Sequence, residues 1–312
     1  MRIWDEPPRL DRLGRETRSD EAAVARLWAD GRLMTLGDGP SLEVEPPLAR
    51  ADTWSGGGRW PAQAARPERG RVTLASRSTV GRAHDPEAHL LLGLVDGQAW
   101  FADRLGTNVG CDLREALPLL SAAQAELAVT AVALANWHWA EGFCPRCGSA
   151  TRIAAAGLSR WCAGCDNELF PRTDPAVIVA VVDDCDRILL ARQRIWPSDR
   201  YSVIAGFVEA GESLEQAVQR EVAEEVGVQV DRVAYVSSQP WPMPRSLMLG
   251  LTAHAAKTTV TPDGAEIADA RWFTRDEAAT AVESGELVLP GPASIAFRLI
   301  SAWLDRGGTP PA

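Results

Sequence analysis

Four of the six cysteines form two Cys-x-x-Cys pairs, Cys144 with Cys147 and Cys162 with Cys165. At this spacing a tight turn directs two thiolates at one ion, and four sulfurs complete the closed tetrahedron of a structural zinc site. The alternative, two disulfides or redox-active pairs, is less favoured because nothing indicates secretion and no thioredoxin-like βαβ pattern surrounds either pair. We interpret His138, before the first pair, as a packed histidine because the cysteines already fill the site.

A run of helix formers with clear start and stop signals follows farther along the chain. Ser213 and Gln216 have the spacing of a capping box, and Gly227 comes directly after the run. These signals predict a helix over residues 214–226.

Three glutamates of this helix could bind a divalent cation. Helical spacing places Glu221 and Glu225 among apolar side chains and Glu224 at their edge. An ionised carboxylate is costly to bury unless a cation compensates it, and an all-oxygen set suits magnesium or manganese. The alternative is a solvated acidic helix face in which Arg220 is an internal partner.

Composition limits what such sites could belong to. The chain has 312 residues, 46% apolar and 24% charged, which predicts a globular protein of two domains, or of one domain with a large appendage. The net charge of −10 disfavours a general nucleic-acid binder. Lys257 is the only lysine and lacks the glycines of a phosphate loop, so a Walker-type site and a lysine Schiff base are poorly supported.

The sequence also indicates the cellular compartment of the protein. No apolar run approaches the ~20 residues needed to cross a bilayer, so we expect no membrane span. Acidic residues and prolines occupy the amino terminus where a secretory signal would have an apolar segment. We therefore expect a cytoplasmic protein.

Local patterns indicate the elements that position these residues. Apolar runs flanking Asp96-Gly97 predict a β-hairpin over 90–102, and an Ala- and Leu-rich run predicts a helix over 122–139. Segments 177–182 and 188–191 have the pattern of strand, turn and strand. Residues 55–59 are glycine-rich and turn-like, and the tail 306–312 is expected to be loose.

The glutamate helix lies within a longer motif with the spacing G-x5-E-x7-R-E-U-x-E-E-x-G-U, where U is aliphatic. Its fixed positions are Gly206, Glu212, Arg220, Glu221, Glu224, Glu225 and Gly227. Through this motif the sequence resembles the Nudix hydrolases. Two further features make it similar to the NADH pyrophosphatases, also called NAD-capped RNA hydrolases. These are the cysteine segment before the box and the run Ser-Gln-Pro-Trp-Pro-Met-Pro-Arg-Ser at 238–246, in which Met243 stands where Phe is usual.

The resemblance implies an α/β fold class and a division of the chain. It implies a Nudix α/β/α sandwich with a mixed sheet over 173–305, preceded by a zinc ribbon over 140–172. A smaller α/β domain would occupy 1–139, and 306–312 would form the tail. It also implies a homodimer.

By position, the resemblance also implies the residues of a metal site. Glu221 and Glu225 would be ligands, Glu224 a further ligand or a supporting acid, and the carbonyl of Ala205 and the carboxylate of Glu266 would complete the set. A box glutamate, Glu225 or Glu224, would assist deprotonation of water, and the spacing does not assign the base between them. Arg220 would orient the carboxylates through charge-assisted hydrogen bonds.

Segment 238–246 has the properties of a specificity loop, because its prolines would hold an extended backbone, its Trp offers a flat face, and its Gln, Arg and second Ser offer polar groups. A Pro-rich surface turn is the alternative. A thioether at Met243 packs with less geometric definition than an aromatic ring, so we expect a substrate ranking that differs from that of relatives. The implied substrate contacts are Phe170, Gln239, Pro240, Trp241, Pro242, Met243, Pro244, Arg245, Ser246 and Ala296.

The implied activity is hydrolysis of the pyrophosphate of NADH or NAD to AMP and nicotinamide mononucleotide, with the NAD cap of an RNA 5′ end as a further substrate. Magnesium or manganese would be catalytic and zinc structural. A Nudix hydrolase of ADP-ribose, diadenosine or nucleoside polyphosphates stays open as an alternative. A non-catalytic nucleotide sensor whose ribbon contacts nucleic acid is a second one.

Overall fold

The computed structural model describes residues 6–36, 41–45, 73–105 and 110–305. The glycine-rich run at 55–59 and the tail at 306–312 lie outside the described residues. Among the helices of the described part, none combines the length and the apolar character that crossing a membrane would require.

The described residues form helices and strands that we number in chain order. The helices are α1 (Arg15–Ser19), α2 (Glu21–Ala29), α3 (Leu113–Ala116), α4 (Ala122–Ala140), α5 (Leu214–Val226), α6 (Arg275–Ser284) and α7 (Ile295–Asp305). The strands are β1 (Arg32–Thr35), β2 (Ser41–Leu42), β3 (Val44–Glu45), β4 (Thr73–Leu74), β5 (Ser76–Ser78), β6 (His89–Val95), β7 (Gln98–Asp103), β8 (Cys111–Asp112), β9 (Arg152–Ala154), β10 (Ser159–Cys162), β11 (Asn167–Leu169), β12 (Asp174–Asp183), β13 (Ile188–Gln193), β14 (Ile204–Phe207), β15 (Asp231–Trp241), β16 (Ser246–Ala255) and β17 (Ile267–Phe273).

The first part of the chain contains a four-stranded sheet in the order β5-β1-β7-β6. Its strands β6 and β7 confirm the predicted hairpin, and Asp96 and Gly97 have the positive φ angles of 51° and 78° that a tight turn of this kind requires. The long helix α4 confirms the predicted helix and begins with a capping box formed by Ser121 and Gln124.

The cysteine-bearing segment forms a small antiparallel sheet in the order β11-β10-β9. It lies close to the first sheet, since a Cβ at Gly157 would come within 2.8 Å of Leu90. His138 of α4 is buried and ties the two parts together through the carbonyl of Gly157 at 2.9 Å and the guanidinium of Arg160 at 3.1 Å. The interpretation of His138 as a packed histidine is confirmed.

The last part is built on a six-stranded mixed sheet in the order β15-β16-β12-β13-β17, with β14 paired to β12. Strands β12 and β16 are parallel, whereas β12–β13 and β15–β16 are antiparallel. The strand, turn and strand predicted from 177–182 and 188–191 correspond to β12 and β13.

Alternation along β12 divides the core of this part into two layers, because successive side chains of a strand face opposite sides of the sheet. Val177, Val179 and Val181 pack with the apolar face of α5. Ile178 and Ala180 pack with α6 and α7 on the other face. This arrangement is the expected α/β/α sandwich.

Candidate active site

The four paired cysteines meet at one point in the structure. Their Sγ atoms all lie within 4.8 Å of one another, and neighbouring sulfurs are 3.4 to 3.7 Å apart. A disulfide requires a separation of about 2.05 Å, so the structure favours four thiolates around one zinc over two disulfides. The ligands are Cys144, Cys147, Cys162 and Cys165.

Two glycines allow the cysteine turns to come this close together. Gly148 has a positive φ of 73°, which L side chains rarely adopt. A Cβ at Gly164 would stand 2.3 Å from the Ser149 hydroxyl oxygen. The backbone of both turns therefore depends on the glycines that follow or separate the ligands.

Helix α5 has the predicted limits and the predicted caps. The Ser213 hydroxyl accepts the backbone N–H of Gln216 at 3.2 Å, and the Gln216 amide oxygen accepts the N–H of Ser213 at 2.8 Å. Gly227 ends the helix in the left-handed conformation with φ 70°.

Gly206 at the end of β14 explains the first fixed position of the box. A Cβ at this residue would lie 1.9 Å from the carboxyl carbon of Glu221. Only a glycine leaves room for the carboxylate of α5 to approach the strand so closely. The neighbouring residue of β14, Ala205, lines the same cleft as Glu225.

Arg220 is the centre of an ionic network on α5. Its guanidinium binds Glu212 through two hydrogen bonds of 2.6 and 2.8 Å and lowers the pKa of that carboxyl to about 2. The same guanidinium contacts Glu221 at 2.9 Å and Glu224 at 3.2 Å and donates to the carbonyl of Phe207 at 2.9 Å. The arginine and Glu212 thereby fix the start of the helix to the strand before it.

Glu225 lies deeper than the other glutamates of the box. It is 6% exposed, and burial, reinforced by the charges of Glu266 and Glu221, raises its pKa to about 8. No arginine or lysine of the described residues forms an ion pair with it. A buried carboxylate without a cationic partner is the position at which a divalent ion would be most favourable.

The predicted glutamate ligands do not converge on one point in the structure as the cysteines do. Within the described ranges, the four cysteines are the only group of three or more candidate metal ligands whose binding atoms all lie within 4.8 Å of one another. The side chain of Glu224 is 63% exposed and interacts with Arg220, and Glu266 precedes β17 at the surface, where it accepts a hydrogen bond from Gln193 at 3.4 Å. The donor chemistry nevertheless fits a magnesium or manganese ion, because Glu221 and Glu225 are both acids whose pKa burial raises.

A cleft of about 230 Å³ opens beside Glu225. Its walls bring together five of the predicted residues, which come from β14, α5, β15 and α7 and are Ala205, Glu225, Gln239, Trp241 and Ala296.

The cleft also contains two residues that the sequence motifs do not indicate. Trp196 and Arg200, from the loop between β13 and β14, line its wall, and the guanidinium carbon lies 5.3 Å from the ring centroid. A Trp within a short polar run, Trp-Pro-Ser-Asp-Arg, is the one signal in the sequence that could have pointed to this wall.

Segment 238–246 differs from the extended loop that its prolines suggest. Its first half is the end of β15 and its last residue begins β16, so that Gln239 pairs with Met248 and Trp241 with Ser246. Only residues 242–245 form the connecting turn. The segment is thus a hairpin end held by a sheet.

Most polar groups of this segment already have partners inside the protein. Gln239 is 4% exposed, and its amide bonds the carbonyl of Ala293 and the N–H of Ile295, both at 2.6 Å. Arg245 forms an ion pair with Asp174 at 2.7 Å. These bonds help to shape the segment, and the contacts of Gln239 and Arg245 with substrate stay predictions.

The remaining predicted contacts occupy different surroundings. Trp241 faces the cleft, whereas Met243 packs against the core of the first part of the chain. Phe170 is 51% exposed and does not line the cleft. The guanidinium carbon of Arg15 lies 5.6 Å from the centroid of its ring. The contacts of Pro240, Pro242, Pro244 and Ser246 with substrate stay predictions, as does that of Phe170.

Comparison with known families gives two matches within the chain. The family model of the NUDIX domain matches residues 172–290. The model of the NADH pyrophosphatase zinc ribbon domain matches residues 141–170. The four cysteines and the carboxylate helix therefore fall within these two matches, one in each.

The chain is also similar to known proteins and to a solved structure. An NAD-capped RNA hydrolase NudC of Mycobacterium bovis (strain BCG / Pasteur 1173P2) is 42% identical over 254 residues, which cover 75% of this chain and 80% of that protein. An NAD-capped RNA hydrolase NUDT12 of Homo sapiens is 41% identical over 201 residues, 61% of this chain and 44% of that protein. A solved Nudix hydrolase structure from Nitrosomonas europaea has 21% identity and a TM-score of 0.41, covering 52% of this chain and 90% of the other. With its cysteine ribbon and its glutamate box, the chain belongs to the Nudix hydrolases, in the group that carries the NADH pyrophosphatase zinc ribbon.

Proposed function

We propose that the protein hydrolyses the pyrophosphate bond of NADH and NAD, giving nicotinamide mononucleotide and AMP, and that it removes the NAD cap from RNA 5′ ends. The observation that carries this proposal is that Trp241 of the subfamily's signature segment and Glu225 of the Nudix box line one cleft. A flat aromatic face that can stack on a base and an acid that can hold a metal ion thus line the same cleft. The names of the similar hydrolases support NAD-capped RNA as a substrate, and the description of the zinc ribbon family supports NADH.

The chemistry would be metal-assisted. Magnesium or manganese, when bound, neutralises the bridging phosphates and lowers the pKa of a water molecule. Glu221, Glu225, Glu266 and the carbonyl of Ala205 would hold the ion. Glu224, the exposed acid of the box, would supplement this set.

Proton transfer and positioning would fall to the side chains of the box. Glu225 or Glu224 would take the proton of the attacking water. Arg220 would keep Glu221 and Glu224 in place through the contacts of 2.9 and 3.2 Å that the structure shows. It would act as a positioning residue and would not contact the substrate.

The dinucleotide would bind along the cleft with its pyrophosphate at the carboxylates. Trp241 would stack on one ring system, and Trp196, which also lines the cleft, offers a second aromatic face. Ala296, which is buried in the first turn of α7, would contact the substrate through its small side chain.

We also propose the assembly and the division of the chain. A small α/β domain at 1–139, a zinc ribbon at 140–172, a catalytic domain at 173–305 and a tail at 306–312 would form a homodimer in the cytoplasm. Phe170 is exposed outside the cleft, so a substrate contact from this residue would have to reach the cleft of a second copy of the chain.

The test is chromatography of the products formed from NADH in the presence of magnesium or manganese. Wild type is expected to release AMP and reduced nicotinamide mononucleotide, and Glu225→Gln to lose this activity. Glu215→Gln is the matched control, because it makes the same change at an exposed position of the same helix. A wild-type enzyme that left NADH intact while cleaving ADP-ribose, diadenosine or a nucleoside polyphosphate would refute the substrate assignment. Failure to cleave any pyrophosphate would favour the non-catalytic sensor.

A further inference from the structure

The turn at the end of the signature segment is attached to the first part of the chain. Asn136, on α4, donates its side-chain amide to the carbonyl of Pro242 at 2.7 Å and to that of Pro244 at 3.3 Å. These two carbonyls flank Met243. A single side chain therefore holds the turn on both sides of its central residue, more than a hundred positions away in the sequence.

A second residue of the first part contacts the same segment. The guanidinium carbon of Arg114 lies 5.6 Å from the ring centroid of Trp241, and its Nε lies 3.3 Å from the sulfur of Met243. Met243 itself packs against the apolar core that α4 and the first sheet form. The contact between the two parts is thus polar at Asn136 and apolar at Met243.

The chemistry of the turn explains why it needs an outside donor. Pro242 and Pro244 have no backbone N–H, so the turn has few donors of its own for its carbonyls. Pro242 is buried, and a buried carbonyl without a donor is unfavourable, whereas Pro244 is exposed. The amide of Asn136 supplies two hydrogen bonds, and the turn's geometry is then set by α4 as well as by β15 and β16.

We propose that Asn136 is a positioning residue for substrate binding: by holding the carbonyls of Pro242 and Pro244 it sets the place of Trp241 in the cleft. This inference rests on the proposed function in so far as Trp241 contacts the dinucleotide. It assigns to the first part of the chain a direct share in specificity. Asn136 touches neither the substrate nor the reacting atoms.

The test is a double-mutant cycle between Asn136 and Trp241, followed by steady-state hydrolysis of NADH. Asn136→Ala, and the isosteric Asn136→Asp that lacks the donor, are each expected to raise KM about tenfold with kcat nearly unchanged. In a Trp241→Ala background the same changes should alter KM less than about twofold, because the residue through which they act is gone. If the Asn136 substitutions raised KM by the same factor in the wild-type and Trp241→Ala backgrounds, the proposal would be overturned.

A matched control separates positioning from general stability. Ser121→Ala removes the N-terminal cap of the same helix and makes no contact with the turn. It is expected to lower the melting temperature at least as much as Asn136→Ala while leaving KM at the wild-type value. A KM rise equal to that of Asn136→Ala would show that Asn136 acts only through the stability of α4.

A measurement without turnover keeps this inference separate from the proposed function. Hydrogen exchange of the amides of Trp241, Met243 and Arg245 should become faster in Asn136→Ala and stay unchanged in Ser121→Ala. If wild type cleaves a pyrophosphate other than NADH, the substrate assignment fails, and the cycle is carried out with that substrate. Unchanged exchange in Asn136→Ala would refute the positioning role whatever the substrate is.

Discussion

Replacement of Glu225 by Gln is expected to abolish activity and yet to stabilise the magnesium-free protein at alkaline pH. Burial and the neighbouring carboxylates raise the pKa of Glu225 from its ordinary value of 4.5 to about 8 in the folded state. Between these two values the folded chain retains a proton that the unfolded chain has released. The folded state therefore loses stability as the pH rises through this window, and the contribution of the neutral acid is complete only below the unfolded pKa.

The magnitude follows from the width of the window. When the folded state binds one proton more than the unfolded state, the free energy of unfolding changes by about 1.4 kcal/mol per pH unit. Between about pH 6 and about pH 8, where titration of the folded state begins to reduce the slope, wild type should lose about 2 kcal/mol through this group. Glu225→Gln cannot ionise, so its stability relative to wild type should increase by the same amount over the interval.

The assay is urea unfolding of the zinc-loaded protein without divalent cation at the two pH values, with the slopes of the transitions compared. Glu224→Gln is the control, because that side chain is 63% exposed and should show no such pH-dependent gain. Addition of magnesium should raise the free energy of unfolding of wild type at the higher pH. It should hardly change that of Glu225→Gln. A variant whose stability falls with pH as steeply as that of wild type would refute the argument from burial.

Three further outcomes are expected. Gly206→Ala would place a Cβ 1.9 Å from the carboxyl carbon of Glu221 and should lower kcat about a hundredfold with zinc content unchanged; near-normal turnover would contradict the proposed close approach. Cys162→Ser should reduce bound zinc from about one ion per chain to none and unfold the ribbon, as metal analysis and limited proteolysis would reveal. Trp241→Ala should raise KM for NADH about tenfold with kcat within about twofold, and a loss confined to kcat would show that the ring acts on chemistry and not on binding.

The elements that the sequence predicted best are those specified by neighbouring residues. Helix α5 has the expected limits because its caps, Ser213 and Gly227, lie at its own ends. The zinc ligands were evident for the same reason, since each Cys-x-x-Cys pair forms within one turn. Local signals of this kind predict an element correctly because contacts with distant parts of the chain change it little.

The rest of the cleft wall, which includes Trp196 and Arg200, could not be predicted in this way, because it depends on contacts between distant residues. Nothing local to Gln239 indicates that its amide bonds the backbone of Ala293 and Ile295. Nor does α4 carry a signal that Asn136 would reach the turn after β15. The prolines of the signature segment suggested a loop, yet Pro240 lies in β15, an edge strand of the sheet, where a missing N–H is tolerated.

The parallel pairing of β12 with β16 also has a consequence for the order in which the enzyme is made. Asp174 pairs with Ser246, so the middle of the sheet closes only after roughly 70 intervening residues have been synthesised, and such long-range closure is slow. The glutamate helix lies inside that interval, whereas the ribbon is complete before it. During translation the zinc site can therefore be loaded while the carboxylate centre does not yet exist, and the two metals would enter the protein at separate stages of its synthesis.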